Sequence, residues 1–238
     1  MSASPFCLKV EAYLRAMKID YEAVEHFELL ERFSRHKLPV IQYNQELVQD
    51  SGAILKFLEE RVVPASANHT KAADHDLSEK EKDMSAMVTV MMENSLAQII
   101  TTIRWKSELG WPAFKQFIFG KFKFPLSIIA PFVARRNTVS MLKAGGFGRY
   151  TDEELIAQAS NLLAILSRLL GKNKFLFGDK FHTVDATVYG TLFQYITIDL
   201  DTPVHRAARS HDNLVSYVKR MEELINQVPH KTIPYSKI

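Results

Sequence analysis

The chain has 238 residues, of which 47% are hydrophobic and 24% are charged, and its formal net charge is +3. This composition is typical of a folded globular protein, and so small a positive charge does not by itself indicate a nucleic-acid partner. The single cysteine excludes an intrachain disulfide and any multi-cysteine metal site. The sequence shows neither a secretory signal nor an unbroken apolar run of about 18 residues, so we expect a cytoplasmic protein.

The first predicted element is a helix over residues 5–18. Ser4 is a preferred N-cap residue, and Pro5 suits the first helical position because its missing N–H would have no partner there. A helix N-terminus carries unpaired N–H groups and a partial positive charge, so it stabilises a thiolate or a carboxylate. A hydroxyl or thiol at this point, from Ser4 or Cys7, is therefore suited to sulfur chemistry.

A small β-hairpin and a second helix are predicted next. Residues 39–41 and 46–48 have the composition of strands, and the Asn-Gln pair between them favours a tight turn. Asp50 or Ser51 then caps the helix, whose apolar residues recur at helical spacing.

The polar, proline-containing segment 64–76 is predicted to be a linker between two domains. Residues 1–63 then form a small α/β domain, and residues 77–238 form an all-helical domain. Ser78 and Thr151 are each followed three residues later by a glutamate, which is a capping box that marks a helix start. The helices predicted in the second domain cover residues 78–106, 151–170, a stretch that begins near 183, and 213–227.

Three features of the first domain point to one ligand site. The first is the helix start at Ser4. The second is Leu38-Pro39, where a proline opens a strand and a cis bond would turn the Leu38 backbone towards a ligand. The third is Asp50-Ser51, which offers a carboxylate, a hydroxyl and the N–H groups of a helix start to a ligand with an amine and a carboxylate.

In this order and spacing, these features resemble the glutathione transferase superfamily. The resemblance is strongest to the branch of the failed axon connections proteins and their bacterial relatives, with the metaxins more distant. It spans nearly the whole chain and implies a thioredoxin-like domain, shortened at its start, followed by a helical domain. The stretches that carry it are residues 4–11, Leu38-Pro39 through Asp50-Ser51, residues 145–150, and residues 175–179 ahead of Val184-Asp185-Ala186.

The resemblance implies a binding role for several residues, namely Lys37, Leu38, Pro39, Asp50 and Ser51. Among them, the backbone of Leu38 pairs with the cysteinyl part of glutathione, and Asp50 with Ser51 holds the γ-glutamyl group. The resemblance also implies that Lys37 binds the glycyl carboxylate, with His36 and Arg35 as alternatives. No metal is implied.

The resemblance also implies a reaction. Ser4 matches the serine that hydrogen-bonds the glutathione sulfur, with Cys7 as the alternative because some members of the superfamily use a cysteine. The thiolate would attack a small hydrophobic electrophile held against the helical domain, and the protein would be a homodimer. A second interpretation remains open: a non-enzymatic interaction or membrane-surface module of the same fold, as the metaxins imply.

Each candidate residue also has a plain structural interpretation. Ser4 and the Asp50-Ser51 pair serve equally well as helix caps alone. Cys7 lies one turn inside the predicted helix, and free cysteine is among the most buried residue types, so we favour a packing role for it.

Asp185 resembles the buried aspartate that braces a helix start in this superfamily, and we expect no chemistry from it. Phe181-His182-Thr183 stands where a proline followed by two polar residues is usual, so His182 and Thr183 are both candidates for the cap. The other histidines show no metal-ligand spacing, and no metal site is predicted.

Residues 104–149 contain nine lysines or arginines and a single acid, Glu108, with aromatic residues between them. Such a segment fits an anionic membrane surface, with rings inward and cations at the headgroups. It also fits the wall of a pocket for the acceptor substrate, or an ordinary helical hairpin with a solvated basic face. No nucleic-acid-binding motif accompanies the charge, so nucleic acid is not predicted.

The strand that usually opens a thioredoxin-like domain has no counterpart here, because only Met1-Ser2-Ala3 precede the first helix. Its loss is expected to leave the strand candidate at residues 21–24 without a neighbour and to expose the edge of the proline-led strand. We therefore interpret the chain as shortened at its N-terminus, and we expect an apolar stretch of about 5–8 residues to be encoded upstream.

Overall fold

The computed structural model describes residues 3–24, 37–65, 71–227 and 231–233. The helices are α1 (Pro5–Ala16), α2 (Ser51–Phe57), α3 (Glu79–Met91), α4 (Ala97–Trp105), α5 (Trp111–Phe119), α6 (Leu126–Ala144), α7 (Asp152–Leu170), α8 (Thr183–Ile196), α9 (Pro203–Arg209) and α10 (Asp212–Asn226). The strands are β1 (Glu22–Val24), β2 (Val40–Tyr43), β3 (Glu46–Gln49) and β4 (Lys231–Ile233). Wider π turns, Leu58–Val62 and Met92–Leu96, follow α2 and α3.

Residue contacts divide the chain into two compact units, each built from separate stretches of sequence. The first unit contains Met1–Thr89, Lys172–Thr191 and Ser216–Ile238, and the second contains Val90–Gly171 and Leu192–Val215. All four strands lie in the first unit, whereas the described regular elements of the second unit are helical. This confirms the mixed α/β and helical fold class, while the domain boundaries at residues 63 and 77 stay a prediction.

The hairpin forms as the sequence predicts. β2 and β3 run antiparallel, with Val40 opposite Gln49 and Tyr43 opposite Glu46. Asn44 in the turn has a φ of 55°, a left-handed conformation that asparagine tolerates better than most residues. Among the described residues, β3 is the one strand that pairs with β2, so the other edge of β2 has no strand neighbour there.

The expectation that the strand at residues 21–24 has no neighbour is wrong. β1 pairs in parallel with β4, with Glu22 opposite Lys231 and Val24 opposite Ile233. A strand near the C-terminal end of the sequence thus satisfies one edge of β1, which reduces the liability of an exposed strand edge. β4 also falls inside the range that the sequence predicts as all-helical, and three residues are too few for a periodic pattern to reveal it.

Asp185 braces the start of α8. Its carboxylate accepts hydrogen bonds from the backbone N–H groups of Leu176 (3.0 Å) and His182 (2.9 Å) and from the hydroxyl of Tyr217 (2.9 Å). The side chain is fully buried, and burial raises its pKa to about 6. The bond from the His182 N–H is one half of a capping box, so His182, and not Thr183, occupies the N-cap position.

One continuous helix runs from Glu79 to Trp105, close to the predicted residues 78–106. Ser78 begins it with a capping box, because the Glu81 carboxylate accepts the Ser78 N–H at 2.8 Å. Of the helices that the structure describes, this one has the length and apolar composition needed to cross a membrane, at a mean hydropathy of 1.2. The buried share of that apolar window is 44%, and a core helix of a folded protein has the same properties.

The later helices also follow the sequence pattern. Thr151 and Glu154 form a reciprocal capping box at the start of α7, with N–H···O distances of 2.8 Å and 3.2 Å. Gly171 ends α7 with a φ of 55°. α8 and α10 start within one residue of the predicted positions, whereas α9 was not predicted because its seven residues give too short a pattern.

Candidate functional site

Ser4 occupies the N-cap position of α1. Its backbone is extended (φ −94°, ψ 120°), and its Oγ accepts a hydrogen bond from the N–H of Cys7 at 3.3 Å. Capping does not exclude a second role, because a hydroxyl carries one O–H donor besides its acceptor lone pairs. Cys7 is partly exposed, where the sequence favoured a buried packing residue. Both candidates for the sulfur chemistry therefore lie in the first turn of α1.

The start of α1 is held against α8 by a contact that only glycine permits. A Cβ atom on residue 190 would lie 2.5 Å from the carbonyl oxygen of Pro5 and 2.9 Å from the backbone nitrogen of Lys9. Gly190 thus lets the two backbones approach at the turn of α1 that carries Ser4. This contact helps to fix the start of α1 against α8.

Glu59 ties α1 to other parts of the first unit. Its Oε1 accepts hydrogen bonds from the Tyr13 hydroxyl (2.5 Å), the Ala73 N–H (3.0 Å) and the Thr183 hydroxyl (3.2 Å). Burial of Tyr13 and its bond to Glu59 raise the pKa of the phenol well above its usual range, so Tyr13 stays a proton donor. We assign this cluster to positioning α1, a role that no local sequence pattern predicts.

The proline-led strand has the geometry that the sequence predicts. The Leu38-Pro39 peptide bond is cis. Lys37 and Leu38 are exposed, and Pro39 is partly exposed, directly before the first residue of β2. The alternatives to Lys37, His36 and Arg35, lie outside the described residues.

Asp50 and Ser51 form the start of α2. Asp50 caps the helix, because its Oδ1 accepts the N–H groups of Gly52 (3.0 Å) and Ala53 (3.2 Å). Its φ of 84° with ψ of 127° is unusual for a residue with a side chain and costs about 1–3 kcal/mol. Such strained residues cluster at ligand sites. Ser51 is the first residue of the helix and is 5% exposed.

The hairpin register brings two of the three predicted features together. Because Val40 lies opposite Gln49, the residues just outside this pair, Pro39 and Asp50, flank the same end of the hairpin. α2 begins there and packs against α1, whose first turn carries Ser4. All the predicted site residues from Ser4 to Ser51 belong to the first unit. That Ser4 and the Asp50-Ser51 pair share one ligand site stays a prediction.

A cavity of about 210 Å³ in the first unit is lined by none of the predicted site residues. Asp76, Lys180 and His182 line it, and the Asp76 carboxylate accepts hydrogen bonds from Lys180 Nζ (2.6 Å) and His182 Nε2 (3.2 Å). These bonds hold the pKa of Asp76 well below its usual range. We assign the cavity to the packing around the start of α8.

Within the residues that the structure describes, no three His, Cys, Asp or Glu side chains are placed to hold a metal ion. The groups that position the site, Gly190 and Glu59, were missed by sequence reasoning. Their partners lie far away in the sequence, so no local pattern marks them.

Arg104 does not belong to a basic surface, although the sequence placed it at the start of the basic segment. It is 2% exposed, and its guanidinium donates to the Gln194 side-chain oxygen and to the Gln194 carbonyl, both at 2.7 Å. Burial lowers its pKa to about 10, so it remains charged at neutral pH. The guanidinium of Arg135 also donates hydrogen bonds within the second unit, to the carbonyl oxygens of Trp105 and Lys106, each at 3.0 Å.

We expect acid to destabilise the protein through His205 in the second unit. His205 is fully buried, and its burial, with Arg104 and Arg209 nearby, lowers its pKa to about 3. The unfolded chain therefore binds a proton here below about pH 6.5 while the folded chain does not, so stability is lost as the pH falls from about 6.5 towards 3. The expected slope is about 1.4 kcal/mol per pH unit.

Urea unfolding at several pH values between 4 and 7 measures this slope. His205→Gln keeps a polar partner for the Thr202 hydroxyl, which lies 2.7 Å from His205 Nδ1, but it cannot be protonated. The variant is expected to show a shallower loss of stability in acid. Parallel curves for the two proteins would contradict the assignment.

The sequence matches two families of domains. Residues 5–110 match the glutathione S-transferase N-terminal domain, and residues 159–221 match the glutathione S-transferase C-terminal domain. Among solved structures, a β-etherase from Sphingobium sp. strain SYK-6 superposes with a TM-score of 0.63 and covers 93% of both chains at 17% identity. At this identity the similarity shows the fold alone.

Three relatives extend the comparison. Failed axon connections from Drosophila melanogaster is 30% identical over 93% of this chain, which spans about half (54%) of that longer protein. A metaxin-2 homolog from Caenorhabditis elegans is 25% identical over 81% of this chain and 80% of its own length. Isoprene-epoxide–glutathione S-transferase from Rhodococcus sp. (strain AD45) is 25% identical over 92% of both chains.

Proposed function

The chain belongs to the glutathione S-transferase superfamily, and on that premise we propose that its first unit binds glutathione. The observation that carries the proposal is the hairpin register, which sets Leu38-Pro39 beside Asp50-Ser51 at the start of α2. In this proposal the Leu38 backbone pairs with the cysteinyl part, Asp50 and Ser51 hold the γ-glutamyl group, and Lys37 meets the glycyl carboxylate.

The chemical step that we propose is attack by the glutathione sulfur on a small hydrophobic electrophile. A free thiol has a pKa of about 8.5, and a hydroxyl donor at Ser4 together with the α1 N-terminus would lower it. The proton leaves to solvent, the sulfur forms a bond to an electrophilic carbon, and the leaving group departs or an epoxide ring opens. Cys7 is the alternative residue for contact with the sulfur.

Replacing Ser51 with alanine is expected to weaken glutathione binding by about 10–100-fold, because a hydrogen bond to a charged group is lost. Isothermal titration calorimetry measures the change. Ser140→Ala serves as the matched control, since Ser140 is exposed on α6 in the second unit. Unchanged affinity in Ser51→Ala, with the native protein binding glutathione, would contradict the proposed γ-glutamyl contact.

The second candidate function is a non-enzymatic interaction or membrane-surface module. It is favoured by similarity to the metaxin-2 homolog over most of the chain and by the exposed apolar side chains of the second unit. Turnover with an activated aryl chloride separates the two candidates: conjugation that is lost in Ser4→Ala supports the transferase, whereas binding without turnover supports the module. The homodimer and the cytoplasmic location belong to the first proposal, and light scattering tests the dimer.

A further inference from the structure

The part of the second unit formed by α5, α6 and their connecting segment exposes several large apolar side chains that lie close together in the sequence. Phe124 is 81% exposed and Phe132 is 68% exposed, whereas large side chains of this type are usually buried. We call this surface the apolar tip. Its members are Phe122, Phe124, Leu126, Ile128, Ile129 and Phe132, all exposed.

The outward face of α6 changes character along its length. Residues three or four apart share one face of a helix, so Ile129, Phe132 and Arg136 follow one another along one outward face. Beyond Arg136 the same face continues with Ser140 and Lys143, which are exposed. The first two turns are therefore apolar, and the turns behind them are polar and cationic. An amphipathic surface of this kind matches the depth profile of a bilayer interface.

The stretch of sequence that carries the apolar tip has charges of one sign. Residues 109–151 contain seven lysines or arginines and no aspartate or glutamate. Arg135 is not counted among the cations of the tip, since it bonds to backbone carbonyls of the second unit and pairs with the Glu108 carboxylate at 2.6 Å. Lys121 and Lys123 lie on the connecting segment and Arg136 lies behind Phe132, and all three are exposed. Cations thus flank the apolar tip on both sides.

We infer that the apolar tip inserts into the surface of an anionic lipid bilayer, with Lys121, Lys123 and Arg136 at the headgroups. Buried rings and aliphatic side chains supply the apolar contact, and each cation near the anionic surface strengthens binding about fivefold. The inference deepens the second candidate function and does not depend on glutathione binding, because the tip and the predicted glutathione residues belong to different units.

Charge argues for lipid and against a second copy of the chain as the occupant. A two-fold contact between two apolar tips would place cation against cation, and residues 109–151 provide no acid to pair with them. An anionic bilayer offers the opposite charge along with an apolar interior.

Vesicle flotation tests the inference. The full chain is mixed with vesicles of phosphatidylcholine alone or of phosphatidylcholine and phosphatidylserine at a three-to-one ratio, at low and high salt. Binding is expected with the anionic vesicles, and high salt should weaken it because the charges are screened. The triple variant Lys121→Gln, Lys123→Gln, Arg136→Gln should bind about 100-fold more weakly. Lys71→Gln, Lys80→Gln, Lys172→Gln is the control of equal charge, at exposed sites outside the tip.

The apolar contribution has its own variant. Phe124→Ser with Ile128→Ser should weaken binding roughly tenfold for each side chain, whereas Met87→Ser, at another exposed apolar residue, should leave it unchanged. These side chains are exposed, so circular dichroism and thermal unfolding should match the native protein.

Three results would overturn the inference. They are equal binding to both vesicle types, full binding by the triple cation variant, and an absence of binding to the anionic vesicles. In the last case, a dimer that the Phe124 and Ile128 substitutions dissociate would identify a second copy of the chain as the occupant. Glutathione affinity is measured on the same variants and should not change. A failure of lipid binding is therefore distinguishable from a failure of the glutathione proposal.

Discussion

Replacing Gly190 with alanine is expected to lower the free energy of unfolding by about 2 kcal/mol and to abolish glutathione binding. The new Cβ would lie 2.5 Å from the Pro5 carbonyl oxygen and 2.9 Å from the Lys9 nitrogen, and neither backbone atom can move without moving α1. Overpacking of this kind costs about 1–3 kcal/mol, and alanine recovers up to about 1 kcal/mol through its helix propensity. The displaced part is the turn that begins at Ser4.

Thermal and urea unfolding measure the first effect, and calorimetric titration with glutathione measures the second. Gly145→Ala is the matched control, because its Cβ would lie 3.5 Å from the Met141 carbonyl oxygen, an ordinary contact, and its φ of −76° suits alanine. A Gly190→Ala protein with native stability and native glutathione affinity would show that α8 does not position the start of α1.

Replacing Asp185 with alanine is expected to lower the free energy of unfolding by about 4 kcal/mol. The carboxylate is fully buried and accepts bonds from the Leu176 N–H, the His182 N–H and the Tyr217 hydroxyl. Its loss leaves three buried donors without this acceptor, and each unsatisfied group costs about 1–3 kcal/mol. The substitution removes the hydrogen bonds that join Leu176, in the loop before α8, and His182, at the start of α8, to the Asp185 side chain.

Tyr217→Phe provides the graded comparison. It removes one of the three donors and keeps the carboxylate with both backbone bonds, so the expected loss is about 1 kcal/mol. Urea unfolding of the two single variants and the double variant gives the coupling between the side chains, and the double variant should be less destabilised than the sum. Equal losses for Asp185→Ala and Tyr217→Phe would show that the backbone bonds contribute nothing.

The sequence predicts the parts of the site that depend on neighbours in the chain. Ser4 and Asp50 are residue types preferred at the N-cap, so they mark the helix starts. The hairpin between Pro39 and Asp50 is predicted by two strand-like segments with a pair of turn-forming residues between them. Pro39 also marks the position of the cis bond. These features involve contacts across a few residues, where propensity and pattern carry the information.

The contacts that position the candidate site join residues far apart in the sequence, so the sequence did not predict them. Gly190 meets Pro5, and Glu59 joins Tyr13 to Thr183, across long stretches of sequence. A glycine inside a helical pattern does not indicate which residue it contacts, and a glutamate on a helix is usually solvated. Only the folded arrangement reveals that these residues position the start of α1.

The parallel pairing of β1 with β4 has a consequence for how the protein is made. Glu22 and Lys231 are about 200 residues apart in the sequence, yet they lie side by side in the first unit. A ribosome delivers the early strand long before its partner, so the first unit stays incomplete until residues 231–233 have been synthesised. Until then, the edge of β1 that β4 later covers is open to pairing with other chains.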